Sequence, residues 1–195
     1  LMFSASKVNH LTGKKTFNAF SNKQLFPMAL QQYNSFLSEN EVIRGTTEQA
    51  KIATIGKKIA AAAQRYFAYR GYPEYLKEYA WDYNLVKNDQ RNAWCMPGGK
   101  IVFYTGILPI AKNDAGIAAI MGHEIAHAVR EHGRERVSQA MAQNVIANVA
   151  LAAAGAGSAQ SIDAANQIMQ YVLVLPNSRQ NETEADAIGL EIAAR

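Results

Sequence analysis

The stretch His123-Glu124-Ile125-Ala126-His127 decides how this chain is interpreted. Two histidines four positions apart on a helix lie one turn apart on the same face, so both imidazoles can bind one Zn²⁺ without bending the backbone. Glu124 lies between them in sequence, turned partly away from that face, and is the candidate general base for a water molecule. The same five residues also fit an ordinary amphipathic helix that carries two surface histidines and a surface glutamate.

Apolar residues at helical spacing surround this motif. They run from Ile117 to about Ala140, and Asn113-Asp114 precedes them as an N-cap, so the pattern predicts one continuous helix. On such a helix His132 is rotated about 140° from His127, at about 100° per residue. We therefore expect His132 to pack or to form hydrogen bonds rather than to act in catalysis.

A hydrolytic zinc site needs a third protein ligand and an open position for water. Glu131 and Glu135 follow on the helix of the motif itself, and Glu131 is about 12 Å along the axis from His123. They cannot easily reach the same ion. The third ligand is therefore expected from a different element.

The segment after Pro176 predicts a last helix to about Ala194, with Asn177 or Ser178 as its N-cap. Of its glutamates, only Glu182 has an acid one turn later on the same face, namely Asp186. Such an acid can accept the outer N–H of a zinc-bound histidine and fix its orientation. We predict Glu182 as the third ligand and Asp186 as its support; the competing interpretation is the polar face of a surface helix.

The rest of the pattern predicts an α+β fold that is mostly α-helical. A helix is expected over about 46–69 and a strand over 79–86. Two β-prone runs, 92–96 and 101–105, flank Pro97-Gly98-Gly99-Lys100, which predicts a small antiparallel hairpin beside the motif helix.

The domain organisation is predicted from composition and charge. Residues 1–38 are expected to form an irregular basic arm, and 39–195 the catalytic domain with an Ala-rich helical insert at 141–175. The net charge of +4 is carried by four lysines that precede the first acid, Glu39. Such an arm could contact anionic lipid or an acidic partner, or it could be a solvated terminus.

Several classes of protein are disfavoured by the sequence. The body is neutral and lacks a recognisable nucleic-acid motif, so no nucleic-acid partner is expected. Cys95 is the only cysteine, which excludes an intramolecular disulfide. No run reaches the roughly 18–20 apolar residues of a membrane span, and the first residues do not resemble a signal peptide. The sequence does not determine the oligomeric state.

HExxH followed by Asn181-Glu182-Thr183-Glu184-Ala185-Asp186 resembles the gluzincin zinc metallopeptidases. With the Ser178-Arg179 lead-in, the pattern is most similar to the family of HtpX-type heat-shock peptidases, CaaX prenyl endopeptidases and Oma-type relatives. The resemblance is strongest over 92–136 and 175–190. The metzincin pattern is excluded, because Arg130 and Gly133 stand where it needs Gly and His.

The resemblance implies a zincin-like catalytic domain that binds one Zn²⁺ per chain. In that family the ligands match His123, His127 and Glu182, and the general base matches Glu124. Asn92-Ala93 is similar to the edge-strand motif that lines the gluzincin cleft. It implies that Asn92, Ala93 and Trp94 bind the substrate.

The expected function is therefore a zinc-dependent endopeptidase that cleaves extended or misfolded proteins, with peripheral membrane contact left open. The family resemblance implies an extracytoplasmic, periplasmic location. Gluzincins also place a donor for the oxyanion after the third ligand. Tyr171, which precedes that ligand here, is one candidate; otherwise the donor lies elsewhere, or a C-terminal extension typical of the family is missing. That gap and the aromatic-rich arm motivate an alternative, a latent or non-catalytic zinc-bound module such as a zymogen or a chaperone-like peptide binder. A structural zinc site in a lipid-surface protein is a third, weaker alternative.

Overall fold

A four-stranded sheet lies between one helix on its first face and two helices on its second. The computed structural model describes residues 6–9, 13, 15–18, 20–153 and 177–195. The strands are β1 (Ser6–Val8), β2 (Lys15–Phe17), β3 (Val42–Ile43), β4 (Asp82–Val86), β5 (Ala93–Met96) and β6 (Lys100–Tyr104). The helices are α1 (Asn22–Glu39), α2 (Thr47–Tyr69), α3 (Leu108–Ala111), α4 (Asp114–Val129), α5 (His132–Ala153) and α6 (Arg179–Ala193), with a 3₁₀ turn at Thr105–Ile107.

The sheet has the strand order β3-β4-β6-β5, and β1 pairs separately with β2. The predicted hairpin is confirmed as the antiparallel pair β5–β6, with Trp94 opposite Val102. The sheet as a whole is mixed rather than antiparallel, because β6 returns between β5 and β4 and runs parallel to β4. This arrangement leaves β5 at the sheet edge.

Side chains of the strands alternate between two apolar clusters, as the pleat requires. Ala93 and Cys95 face the larger cluster with α2 and α4, whereas Trp94 and Met96 face the smaller cluster with α1. Both faces of the sheet are therefore covered, which explains why its strands are buried almost throughout.

The helix α1 corrects the prediction of an irregular arm over residues 1–38. Leu25, Ala29 and Tyr33, spaced four residues apart, are buried against the sheet at 0–1% exposure. The Ser21 backbone N–H donates to Gln24 Oε1 at 3.0 Å, part of a capping box at the start of the helix. Residues 22–38 thus complete the core, while the boundary at 38/39 stays a prediction.

The motif helix ends earlier than predicted. α4 stops at Val129, and Glu131 has a φ of 62°, so α5 begins at His132 as a separate helix instead of continuing to Ala140. A left-handed conformation costs a non-glycine residue about 1–2 kcal/mol. The Glu131 carboxylate forms an ion pair with Arg134 at 2.9 Å, which helps to hold the turn.

The Ala-rich segment 141–175 is helical as far as residue 153, within α5. The rest of the predicted insert, from residue 154 on, lies outside the described residues. Among the helices of the described ranges, none combines the length and the apolar character that crossing a membrane would need.

Candidate metal centre

The helix α4 presents two histidines to the same point in space. It is capped by Asn113, whose side chain accepts the N–H of Gly116 at 3.0 Å as predicted. One turn separates His123 from His127, and their Nε2 atoms are 3.0 Å apart. His127 is buried and His123 is partly exposed, so the pair lies at the boundary between the core and the solvent.

The helix α6 approaches α4 backbone to backbone at two glycines. A Cβ at Gly189 would lie 2.7 Å from the carbonyl carbon of Gly122 and 2.8 Å from the backbone nitrogen of His123. A Cβ at Gly122 would meet the carbonyl oxygen of Gly189 at 2.7 Å. Neither position has room for a side chain, so these glycines set how closely the two helices pack.

This close packing brings Glu182 to the two histidines. Its carboxylate oxygens lie 3.4 Å from His123 Nε2 and 3.4 Å from His127 Nε2. One ligand atom from each of the three residues lies within 4.8 Å of the others, close enough to hold a single metal ion. The structure thus brings together the three residues that the sequence predicted as ligands.

Two further side chains contact this trio. Asp186 Oδ1 is 2.8 Å from His123 Nδ1, the ring nitrogen that faces away from Glu182. The Asn177 amide donates to Glu182 Oε1 at 2.5 Å and lies 3.4 Å from His127 Nε2. The contact between Asp186 and His123 was predicted from helical spacing. Asn177 was predicted only as one of two possible helix caps, and the residue that caps α6 is Ser178.

Glu124 faces an open cleft of about 370 Å³ beside the histidines, which Asn92 and Ala93 also line. Burial raises the pKa of Glu124 from about 4.5 to about 8, and the negative charge of Glu182 adds to the shift. A carboxyl group whose pKa is shifted in this way, in a cleft beside residues that can bind a metal, is typical of a proton-transfer site.

Comparison with known proteins places this chain in a family. The sequence profile of Peptidase family M48 matches residues 46–195, which is most of the chain. The chain belongs to peptidase family M48. Membership confirms the resemblance inferred from HExxH and the Asn181–Asp186 stretch, and the M48 family implies a metal cofactor.

Curated relatives of this M48 chain are metalloendopeptidases from several lineages. The mitochondrial metalloendopeptidase OMA1 of Schizosaccharomyces pombe is 36% identical over 124 residues, 62% of this chain and 34% of that protein. The human OMA1 metalloendopeptidase is 23% identical over 99% of this chain and 37% of its own length. The β-barrel assembly-enhancing protease of Escherichia coli is 28% identical over 57% of this chain and 24% of its own length. The chain thus spans about a third or less of these relatives.

Behind His127, on the side away from the other two candidate ligands, lies the buried residue His132. The sequence pattern did not connect His132 with the metal centre of this M48 chain. His132 Nδ1 lies 2.8 Å from His127 Nδ1, so the expectation that His132 forms hydrogen bonds is confirmed. The geometry assumed for it was wrong, because the break at Glu131 turns His132 back towards His127. Burial lowers the pKa of His127 to about 2 and that of His132 to about 4.

Trp94 does not line the M48 cleft. Its side chain is 3% exposed, packs edge-on against Phe36 with ring centroids 5.0 Å apart, and donates from Nε1 to Tyr104 Oη at 3.1 Å. The alternation along β5 points Ala93 and Cys95 towards α4 and Trp94 away from it. The expectation that Trp94 contacts substrate therefore does not hold for its side chain.

The other glutamates of α6 form ion pairs away from the three candidate ligands. Glu184 contacts Arg130, and Glu191 pairs with Arg195 at 2.9 Å. Neither is among the three residues that can share an ion. Tyr171 lies outside the described residues.

Proposed function

We propose that this chain is a zinc-dependent endopeptidase, with His123, His127 and Glu182 as ligands of one Zn²⁺. The observation that carries the proposal is the convergence of two imidazole nitrogens and a carboxylate beside a cleft that contains Glu124. Two His and one Glu form a known ligand set of hydrolytic zinc sites.

The separations of the three donor atoms fit one bound zinc ion. Bonds of about 2.0–2.1 Å place tetrahedral ligands about 3.3 Å apart. The two Nε2 atoms are 3.0 Å apart, and each lies 3.4 Å from an oxygen of Glu182. His123, His127 and Glu182 could therefore bind zinc with little rearrangement, and Asp186 would orient His123 from behind.

Glu124 is the proposed general base. When bound, zinc makes water more acidic and polarises a peptide carbonyl. Glu124 would take the proton from the attacking water and deliver it to the nitrogen of the leaving amine, so one carboxylate serves both transfers.

The proposed substrate is an extended polypeptide that lies along β5. This strand is at the edge of the sheet, next to α4, so its outer backbone groups can pair with a peptide as an added strand. Asn92 and Ala93, at its start, line the same cleft as Glu124. Recognition through backbone groups would give loose sequence selectivity, which suits unfolded or misfolded proteins.

The proposed location is extracytoplasmic, with peripheral contact with a membrane. The family resemblance supports it, and so do relatives that are named as mitochondrial or as assisting β-barrel assembly. This part of the proposal rests on relatives of which the chain covers about a third of the length.

Cleavage of an unfolded protein tests the proposal. We expect the zinc-loaded chain to cleave casein, to stop when a strong chelator is added, and to resume when zinc is restored. The dependence on metal follows from the role of the ion in activating water. Cleavage that persists in chelator, or a zinc-loaded chain that leaves casein intact, would contradict the proposed function.

A further inference from the structure

We propose that His132 and Glu184 form a positioning pair that holds His127 in the tautomer required of a metal ligand. This inference rests on the proposed function, because it concerns how one proposed ligand is oriented. It assigns a role to two side chains that contact neither the cleft nor the other ligands. His132 contacts His127 from inside the protein, and Glu184 contacts His132.

The direction of the first hydrogen bond follows from the position of the ligand atoms. His127 Nε2 faces His123 and Glu182, and an imidazole nitrogen binds a metal only when it carries no proton. A neutral His127 must then carry its proton on Nδ1. That N–H points at His132 Nδ1, 2.8 Å away, which must accept it.

The second hydrogen bond follows from the first. If His132 accepts at Nδ1, its own proton is on Nε2, which lies 3.4 Å from Glu184 Oε2. A carboxylate accepts this N–H and has no proton to offer in return. The two hydrogen bonds therefore run in the same direction: His127 donates to His132, and His132 donates to Glu184.

Arg130 explains how the charged carboxylate of Glu184 can accept the last of these hydrogen bonds in a largely buried site. The side chains of Arg130 and His132 are 2% and 1% exposed, and that of Glu184 is 17% exposed. The guanidinium of Arg130 contacts the same Glu184 oxygen as His132 and balances its charge. In a site so well buried, water cannot readily replace either partner of a broken hydrogen bond.

The break between α4 and α5 allows His132 to contact His127. On an uninterrupted helix His132 would lie about 7.5 Å further along the axis than His127 and about 140° around it. The left-handed turn at Glu131 instead directs the first residue of α5 back at His127. The two ligands of α4 thus receive different supports, Asp186 directly for His123 and Glu184 through His132 for His127.

The tautomer can be measured in the metal-free chain by long-range ¹H–¹⁵N NMR of the histidine rings near neutral pH. We expect His127 protonated on Nδ1 and His132 protonated on Nε2. Finding His127 protonated on Nε2 in the unmodified chain would overturn the inference. The Glu184 carboxylate sets this direction from the inner end without a metal, and the Asn177 amide can donate to a bare His127 Nε2. The measurement therefore stands even if the chain fails to bind zinc and the proposed function fails.

Zinc affinity of substituted chains gives the second readout. His132→Phe keeps the ring but removes the acceptor, and loss of such a support typically weakens metal binding about 10–100-fold. His132→Gln restores an acceptor for His127 and a donor for Glu184, so it should recover most of the affinity. The matched control is Glu191→Gln on α6, whose carboxylate pairs with Arg195 instead.

The outcomes separate a positioning role from a packing role. If His132 only fills space, phenylalanine should bind zinc as tightly as the unmodified chain, and glutamine should offer no advantage over it. Either result, in folded variants, would overturn the inference. If His132→Phe does not fold, the tautomer of His127 in the unmodified chain still decides the question.

Discussion

The Glu124→Gln variant is expected to lose casein cleavage by about 10²–10⁴-fold, the usual contribution of a general acid–base group. Glutamine has nearly the same shape, but it cannot take a proton from water or return one to the leaving amine. Glu124 is not one of the three residues that can share an ion, so zinc should stay bound. The measurement is kcat/KM on casein together with the zinc content of the purified chain.

Glu135→Gln is the matched control for this variant. It makes the same chemical change in the first turn of α5, where the Glu135 carboxylate accepts from Gln139 at an exposed site. Activity should be unchanged there. A Glu124→Gln chain that cleaves casein as fast as the control would disprove the assignment of the general base.

The Gly189→Val variant is expected to lose zinc binding and to unfold more easily. Any Cβ at Gly189 lies 2.7–2.8 Å from backbone atoms of Gly122 and His123, and a backbone cannot move aside as a side chain can. α6 must therefore shift away from α4 and take Glu182 and Asp186 with it. Overpacking of this kind costs about 1–3 kcal/mol or more in the free energy of unfolding.

Ala187→Val tests whether valine itself is responsible. Residue 187 is exposed on the same helix, two positions before Gly189, and β-branched residues have only slightly lower helix propensity than alanine. This control should keep its zinc and its stability to within about 1 kcal/mol. Zinc titration and denaturant unfolding of both variants provide the comparison; equal zinc affinity in Gly189→Val would show that the close approach does not position Glu182.

The candidate ligands could be predicted from sequence because helical spacing identifies a pair of residues on each of two helices. His123 and His127 are four residues apart, and so are Glu182 and Asp186, so each pair shares a helix face without reference to the rest of the fold. These two spacings do not depend on how the neighbouring helices and strands were predicted.

The support behind His127 could not be predicted in this way. It depends on a left-handed residue at Glu131, and a glutamate there gives no signal of the kind that a glycine would give. Trp94 was misassigned for a related reason. Strand alternation separates Ala93 from Trp94, but only the packed sheet shows which of the two faces the cleft.

The helix α1 could have been predicted from its apolar spacing, but the prediction for this region was based on its charge. Leu25, Ala29 and Tyr33 recur every four residues after Ser21 and Gln24, a pattern typical of a capped amphipathic helix. The excess of lysines over the same region instead favoured an arm. Of these lysines, Lys23 lies on α1, whereas Lys7 and Lys15 lie on β1 and β2.

Zinc binding by the Glu182→Gln variant tests the central claim most directly, namely that His123, His127 and Glu182 hold a single catalytic ion. Native mass spectrometry and competition with a chelator give the stoichiometry and the affinity. We predict one zinc per unmodified chain, the same for Glu191→Gln, and for Glu182→Gln a loss of affinity exceeding the ~10–100-fold typical of a supporting residue. An unmodified chain that binds no zinc, or a Glu182→Gln chain that binds it as tightly, would contradict this account.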